Sequence, residues 1–221
     1  MTAPARIGLR ERKKQQTRRA LQEAALSLFA EKGYDGTTVE EIADAADVSC
    51  RTFFRYFASK EEVLEADFSD LAQRMPEAVA GRGSTSLFDC LMEIGTEMCR
   101  EFEARADFVL ERNRLVLSTP VLAARVLLLH AELHAQLCEL VVGELAVSGD
   151  EAVVVRLLMG SITGVFDAAL AIFMEAEGER SLVDLFEDGI RTIEPVARPV
   201  IDRLEAEKQS GPATTREPPR T

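Results

Sequence analysis

The sequence predicts an all-α protein of about nine helices, and three observations carry that expectation. Apolar residues recur at helical spacing, as in the stripe Leu21, Ala25, Leu28 and Phe29. Capping residues, glycines and prolines punctuate the chain between such stripes. Ala, Leu, Val, Glu and Arg dominate the 221 residues, of which only 6% are aromatic and none is Trp. That composition favours helices over strands.

A first helix is expected from about Arg10 to Lys32, closed by Gly33, because glycine takes the left-handed conformation without penalty. Tyr34, Asp35 and Gly36 link it to a short helix fixed by Val39, Ile42, Ala43 and Ala46. Thr38 with Glu41 has capping-box spacing for that helix; Thr37 with Glu40 is an equally spaced alternative. Asp47 lies where the chain must turn sharply, and Asp tolerates that better than most non-glycine residues. Ser49 can cap a second short helix that runs to Phe57 and turns Phe53 and Phe57 inward. Ser59 with Glu62 gives another capping box and opens a helix from Lys60 to about Val79.

The clearest loop is 80–86 (AGRGSTS), so a domain boundary is placed beside it, with one domain at 10–75 and a second at 80–208. Further helices are expected at 87–104, 107–118, 120–147, 150–177 and 181–194. Pro120 behind Thr119 suits a first helical turn. Pro195 and Pro199 are expected to break the last helix, with a short one resuming to about Lys208. Residues 1–9 and 209–221 show no apolar periodicity and are expected to be disordered.

Net charge is −12, which by itself argues against a polyanionic partner. Its distribution reverses the argument. Residues 1–60 carry +3 and residues 61–221 carry −15, and the first nineteen residues hold seven basic side chains against one acidic. A basic head precedes a long acidic body. Counted as unbroken apolar runs, no stretch reaches the roughly 18 residues of a membrane span, and no apolar stretch follows the N-terminal cations as in a secretory signal. Cys50, Cys90, Cys99 and Cys138 include no CxxC pair; reduced, mostly buried thiols and a cytoplasmic location are expected. No Ser/His/Asp set, phosphate loop or metal cluster points to an enzyme. His130 and His134 stand one turn apart, but HAELH lacks the Glu adjacent to the first His that the zincin motif requires, so no metal or other cofactor is expected.

Residues 37–60, TTVEEIADAADVSCRTFFRYFASK, are the most informative stretch. They read as two short helices joined by a tight turn. The second presents Cys50, Arg51, Thr52, Arg55 and Tyr56 outward or sideways. A short helix with small, basic and aromatic groups on its free face fits a major groove.

The order FAEKGY, then TTVEEIADAADVSCRTFFRYFASKEEVL, resembles the TetR family of bacterial transcriptional regulators over about residues 10–68. Asp47 stands where the family usually has Gly, and Phe54 where Tyr is common. The resemblance implies a helix-turn-helix DNA-binding domain followed by a helical ligand-binding and dimerisation domain. It implies a homodimer that places two recognition helices in successive major grooves of a palindromic operator, about 34–36 Å apart. It also implies release by a small-molecule effector. The wording TFFRYFASKE is similar to a subset whose C-terminal domain is associated with acyl-CoA-like ligands.

On that reading Arg51 is the leading base reader, since bidentate Arg to guanine is the commonest specific contact. Cys50 and Thr52 can meet a thymine methyl or a backbone oxygen, Arg55 a base or a phosphate. Tyr56 and Lys60 resemble the family's phosphate clamps, while Phe54 lacks the hydroxyl for that contact. Thr38 and Ser49 join capping to a position beside phosphate. Lys13, Lys14, Arg18 and Arg19 add salt-sensitive affinity. Candidates for an effector pocket are Met92, Met98, Phe102, Phe108, Leu115, Leu137, Phe166 and Phe173. The dimer is expected on the last two long helices through Val153, Leu157, Ser161, Leu182, Phe186 and Ile190, as a four-helix bundle across the two-fold axis. The competing reading is a helical adaptor or ligand-binding protein without sequence-specific DNA binding.

Overall fold

The computed structural model describes residues 9–210, without the side chains of 9–11 and 65–73. Its elements are α1 (Leu9–Lys32), α2 (Val39–Ala45), α3 (Cys50–Tyr56), α4 (Glu62–Ala80), α5 (Leu87–Glu103), α6 (Ala106–Ser118), α7 (Pro120–Leu145), α8 (Gly149–Glu175) and α9 (Leu182–Ser210). No strand occurs among the described residues. The expected disordered ends at 1–8 and 211–221 lie outside them. Leu9, Gln209 and Ser210 are helical.

The chain divides into two compact units. The first runs through Asp70 and also takes in Asp107–Leu129; the second holds Leu71–Ala106 and the residues from His130 on. Residues 107–129 lie inside the span read from the sequence as the second domain, 80–208, yet group with the N-terminal helices. The reason is packing: Val116 and Leu122 are buried in one cluster with Leu21, Ala25, Phe29, Ile42, Phe53, Phe57 and Val63. A loop can be read from Gly and Ser, but where a helix buries its apolar face depends on long-range contacts that no local pattern records.

In the second unit α5 and α8 both pack on α9. Two glycines set how closely they approach. A Cβ on Gly95 would lie 2.6 Å from the Phe186 ring, and one on Gly189 would lie 2.5 Å from Val165 Cγ1. Arg82, after α4, bridges Glu144 of α7 at 2.9 Å and Glu205 of α9 at 2.8 Å. Glu205 also accepts the Leu87 N–H at the start of α5, at 3.0 Å. Glu205 is buried and Arg82 and Glu144 are half-buried, so the pairing offsets part of the cost of taking these charges out of water.

Helix α9 departs from expectation by running unbroken through Pro195 and Pro199. Each proline removes one N–H, those that would bond the carbonyls of residues 191 and 195. Arg191, Pro195 and Pro199 are exposed, so water can satisfy both carbonyls. The opposite face continues with buried Ile190, Ala197, Ile201 and Leu204, which holds the helix to the core.

By length and apolarity α7 and α8 could each cross a membrane, a property that counting unbroken apolar runs missed. Both leave much of that apolar surface uncovered within the single chain: Val121, Leu127 and Leu128 on α7, and Val153, Val154 and Leu157 on α8.

Candidate nucleic-acid interface

The site is built by two capped helices and the turn between them. Thr38 is the N-cap of α2: its hydroxyl accepts the Glu41 N–H at 3.2 Å, and its own N–H donates to Glu41 Oε2 at 3.0 Å. The Thr38 box is therefore the one that forms. Thr37 is buried, with its hydroxyl donating to the Gly33 carbonyl at 2.9 Å. Lys32 pairs with Glu41 at 2.6 Å, and that hydrogen bond holds the Glu41 carboxyl below its usual range.

Between the helices Asp47 takes φ 54°, the left-handed region. Its N–H donates to the Asp44 carbonyl and that of Val48 to the Ala43 carbonyl, both at 3.0 Å, closing the end of α2. Ser49 then caps α3, accepting the Thr52 N–H at 3.2 Å. The two hydroxyls also bond each other at 3.0 Å.

Helix α3 is fixed from below by Phe53 and Phe57, both buried, with ring centroids 5.7 Å apart. Seven helical residues could not hold themselves in water; the aromatic anchors do it. Anchoring those two positions sends Arg51, Phe54 and Arg55 to the free face, where all three are exposed. Cys50, Thr52 and Tyr56 are half-buried at its margins. The Arg55 guanidinium lies over the Tyr56 ring, 5.1 Å from its centroid, which limits the freedom Arg55 must lose on contact. Phe54 is 56% exposed, a large apolar group in water beside two guanidiniums. The arrangement puts cations and an exposed apolar ring on the free face of one short helix, with hydroxyls at its margins.

Lys60 sits differently from a simple phosphate clamp. Its ammonium donates to the carbonyls of Tyr34 at 2.7 Å and Thr37 at 3.0 Å, and lies 4.1 Å from the Tyr34 ring centroid. Tyr34 in turn donates its hydroxyl to Glu61. Burial pushes the Glu61 carboxyl up, but hydrogen bonds from Ser59 and Tyr34 outweigh it and leave it below its usual range. Lys60 thus ties the α1–α2 link to the turn before α4. Which carbonyls would converge on it was not legible in the sequence. Ser59 accepts the Glu62 N–H at 3.4 Å, and α4 starts there, two residues later than expected.

The remaining candidates divide between the units. Phe102 and Phe166 stack edge to face at 6.0 Å in the second unit, where Phe173 is also buried and Met92, Met98 and Leu137 are half-buried. Phe108 and Leu115 lie in the first unit, packed against the core under α2 and α3. Val153, Leu157 and Ser161 are exposed on α8. Leu182, Phe186 and Ile190 are not available for a dimer contact: at 0%, 2% and 6% exposure they form the intrachain core that α9 makes with α5 and α8. Their periodicity correctly marked an apolar face, but periodicity does not say which chain covers it. His134 bonds Thr163 Oγ1 at 3.2 Å and Cys138 Sγ at 3.5 Å, joining α7 to α8.

The described residues thus form a capped helix-turn-helix and a second helical unit, the arrangement of a helix-turn-helix regulator. Residues 21–66 match the family described as bacterial regulatory proteins, tetR family, and residues 87–198 match the MftR C-terminal domain. The chain belongs to the TetR family of bacterial transcriptional regulators. It is similar to the HTH-type transcriptional regulator TcmR of Streptomyces glaucescens, 47% identical over 81 residues, 37% of this chain and 36% of that protein. It is also similar to the HTH-type transcriptional repressor KstR2 of Rhodococcus jostii, 36% identical over 85 residues, 36% of this chain and 42% of that protein. The chain thus spans well under half of these relatives' lengths. The fold is shared with Thermus thermophilus FadR, a TetR-family repressor solved in complex with lauroyl-CoA (TM-score 0.51, 23% identity, 80% of this chain and 92% of that one). It is shared too with the fatty acid degradation regulator FadR of Bacillus halodurans (TM-score 0.50, 21% identity, 85% and 97%).

Proposed function

We propose that this regulator is a dimeric repressor that binds a palindromic operator through α3 and leaves it when a small apolar or acyl-type effector binds the second unit. The observation that carries the DNA-reading part is the free face of α3, where Arg51 and Arg55 stand exposed one turn apart above buried Phe53 and Phe57. Arg51 is assigned the base contact and Arg55 a base or phosphate. Thr38, Ser49, Cys50, Thr52, Phe54 and Tyr56 fill in the contacts around them. For Lys60, two N–H groups already hold carbonyls, so a phosphate would take the third.

The dimer is assigned to the exposed stripe Val153, Leu157, Ser161, Gly164 and Ala168 of α8. The effector is assigned to the helices of the second unit, lined by Met92, Met98, Phe102, Leu137, Phe166 and Phe173. Two acyl-type leads support its chemistry: the apolar character of those residues, and the lauroyl-CoA held by Thermus thermophilus FadR, which shares the fold. The division into a DNA-binding domain and a ligand-binding and dimerisation domain is part of this proposal.

The test is selection of bound duplexes from a random pool, followed by competition with the Arg51→Ala variant. A bidentate Arg–guanine contact is worth about 1–3 kcal/mol of discrimination. The variant should therefore lose roughly tenfold or more in preference for the selected duplex while its oligomeric state is unchanged. An undiminished preference would remove Arg51 from the reading role.

A further inference from the structure

We propose that Phe54 selects a C5-methylated pyrimidine, packing its ring on the methyl group of a thymine close to the guanine assigned to Arg51. This rests on the reading of α3 as the operator-binding helix and adds to it a base that the helix selects without a hydrogen bond.

The first observation is where the ring stands. Phe54 is 56% exposed, and among the described residues it is the only aromatic side chain left exposed. Helix α3 already has its anchors, since Phe53 and Phe57 are 0% and 1% exposed. A third phenyl ring on the opposite face adds nothing to that hold on the core.

The second observation is that the ring has a support. It meets the Phe53 ring edge to face, with centroids 5.4 Å apart and planes at 82°. Phe53 is itself locked in the core, so Phe54 rests on a fixed neighbour and has less freedom to lose on contact.

The third observation is its company. Arg51 stands three residues before Phe54 and Arg55 directly after it, both exposed. Side chains three apart on a helix are neighbours, with Cβ atoms about 5–6 Å apart, and base pairs rise about 3.4 Å. The group beside Arg51 on α3 therefore meets an edge roughly one or two base pairs from the one Arg51 reads.

The chemistry of the ring decides which edge that is. Phenyl has no donor and no acceptor. Against a phosphate, or against the amino, carbonyl and ring-nitrogen edges of the bases, it would strip water from polar groups and return no hydrogen bond. The one apolar group in the major groove is the thymine methyl. 5-Methylcytosine carries the same methyl at the same ring position, so it should be accepted where plain cytosine is refused.

The probe is the duplex recovered by selection. The guanine is located first, as the base pair whose preference Arg51→Ala loses. Each thymine within about two base pairs of it, on either strand, is then replaced by deoxyuridine, which removes the methyl and nothing else; a thymine elsewhere in the duplex is the control. At one position the change should cost the unsubstituted protein about fourfold in affinity, the worth of burying one methyl group, and about fifteenfold when both half-sites carry it. Phe54→Ala should bind the thymine and uracil duplexes equally, with helicity unchanged because Phe53 and Phe57 still anchor α3. Replacing that T·A pair by C·G should weaken binding, and methylating the cytosine at C5 should recover about the same fourfold. Equal binding of thymine and uracil by the unsubstituted protein, or a selected duplex with no thymine beside the guanine, would overturn the proposal and leave the α3 reading standing. Discrimination that survives in Phe54→Ala would give the methyl to Cys50 or Thr52 and overturn it as well. Failure of the unsubstituted protein to bind any duplex would bring down the α3 reading and the role of Phe54 with it.

Discussion

Asp47 carries a left-handed backbone, φ 54°, in the turn between α2 and α3. The conformation costs an L-residue roughly 1–2 kcal/mol, less for Asp, whose short polar side chain is tolerated there. Asp47→Gly should therefore raise stability by up to about 1 kcal/mol, partly offset by the greater freedom glycine gains in the unfolded chain. Urea unfolding measures it; a clear loss of stability would mean that the Asp carboxylate itself holds the turn. Much of this site was legible residue by residue. Ser49 and Thr38 announced themselves as caps by spacing, and the Phe53 and Phe57 pair fixed which face of α3 is free. Lys60 was not, because its partners are the carbonyls of Tyr34 and Thr37, and backbone oxygens carry no sequence signature. The Arg82 cluster escaped for a related reason: its carboxylates lie 62 and 123 residues away along the chain.

Single helices show the same division between local and long-range control. Helix α9 was expected to end before Pro195, since local rules make proline a breaker; tertiary burial of Ala197, Ile201 and Leu204 overrides them. Glycines give the sharpest test at this scale. Replacing a helical Gly by Ala ordinarily stabilises by up to about 1 kcal/mol. Gly143 of α7 has open space around a built Cβ, so Gly143→Ala should show that gain. Gly95 and Gly189 meet the Phe186 ring and Val165 at 2.6 and 2.5 Å, so their alanine variants must displace α9 or its neighbours. Overpacking of this kind costs about 1–3 kcal/mol, which exceeds the propensity gain. Thermal unfolding of the three variants should therefore split in sign, Gly143→Ala upward and the other two downward. A common upward shift would mean that Phe186 and Val165 rotate away freely.

At the scale of the whole molecule, two kinds of surface must be balanced: the acidic body, and the apolar faces that one chain leaves bare. The Arg82 cluster joins α5, α7 and α9, and its carboxylate Glu144 links it to acid stability. Burial pushes the Glu144 carboxyl up, but hydrogen bonds from Arg82 and Lys208 outweigh it and hold it below the usual range. A carboxyl lowered on folding contributes stability above its unfolded value, about 4.3, and loses it as pH falls through the lower folded one. Glu144→Gln should cost about 1 kcal/mol at neutral pH, discounted for partial exposure, and should flatten the acid limb of a urea-midpoint profile. An equally steep limb would place the acid sensitivity in other pairs, such as Asp89 with Arg198.

The apolar faces bear on assembly. Val153 and Leu157 on α8 are 55% and 67% exposed, and Ser161, Gly164 and Ala168 continue the same stripe with small side chains that let a second helix approach closely. Large apolar side chains exposed at helical spacing are the kind of surface a second subunit can cover. The proposed dimer would cover it, and two α3 helices would then face successive grooves together. Leu157→Glu tests this: around a two-fold axis it buries two like charges at once, at several kcal/mol each. The variant should sediment as a monomer with unchanged helicity, because the Leu157 side chain is largely exposed within the chain. Operator affinity should fall steeply, since each half-site must then be held by one reading head alone. A variant that remains dimeric and binds normally would move the interface off this face of α8 and onto another exposed surface, of which the Val121, Leu127 and Leu128 side of α7 is the next candidate.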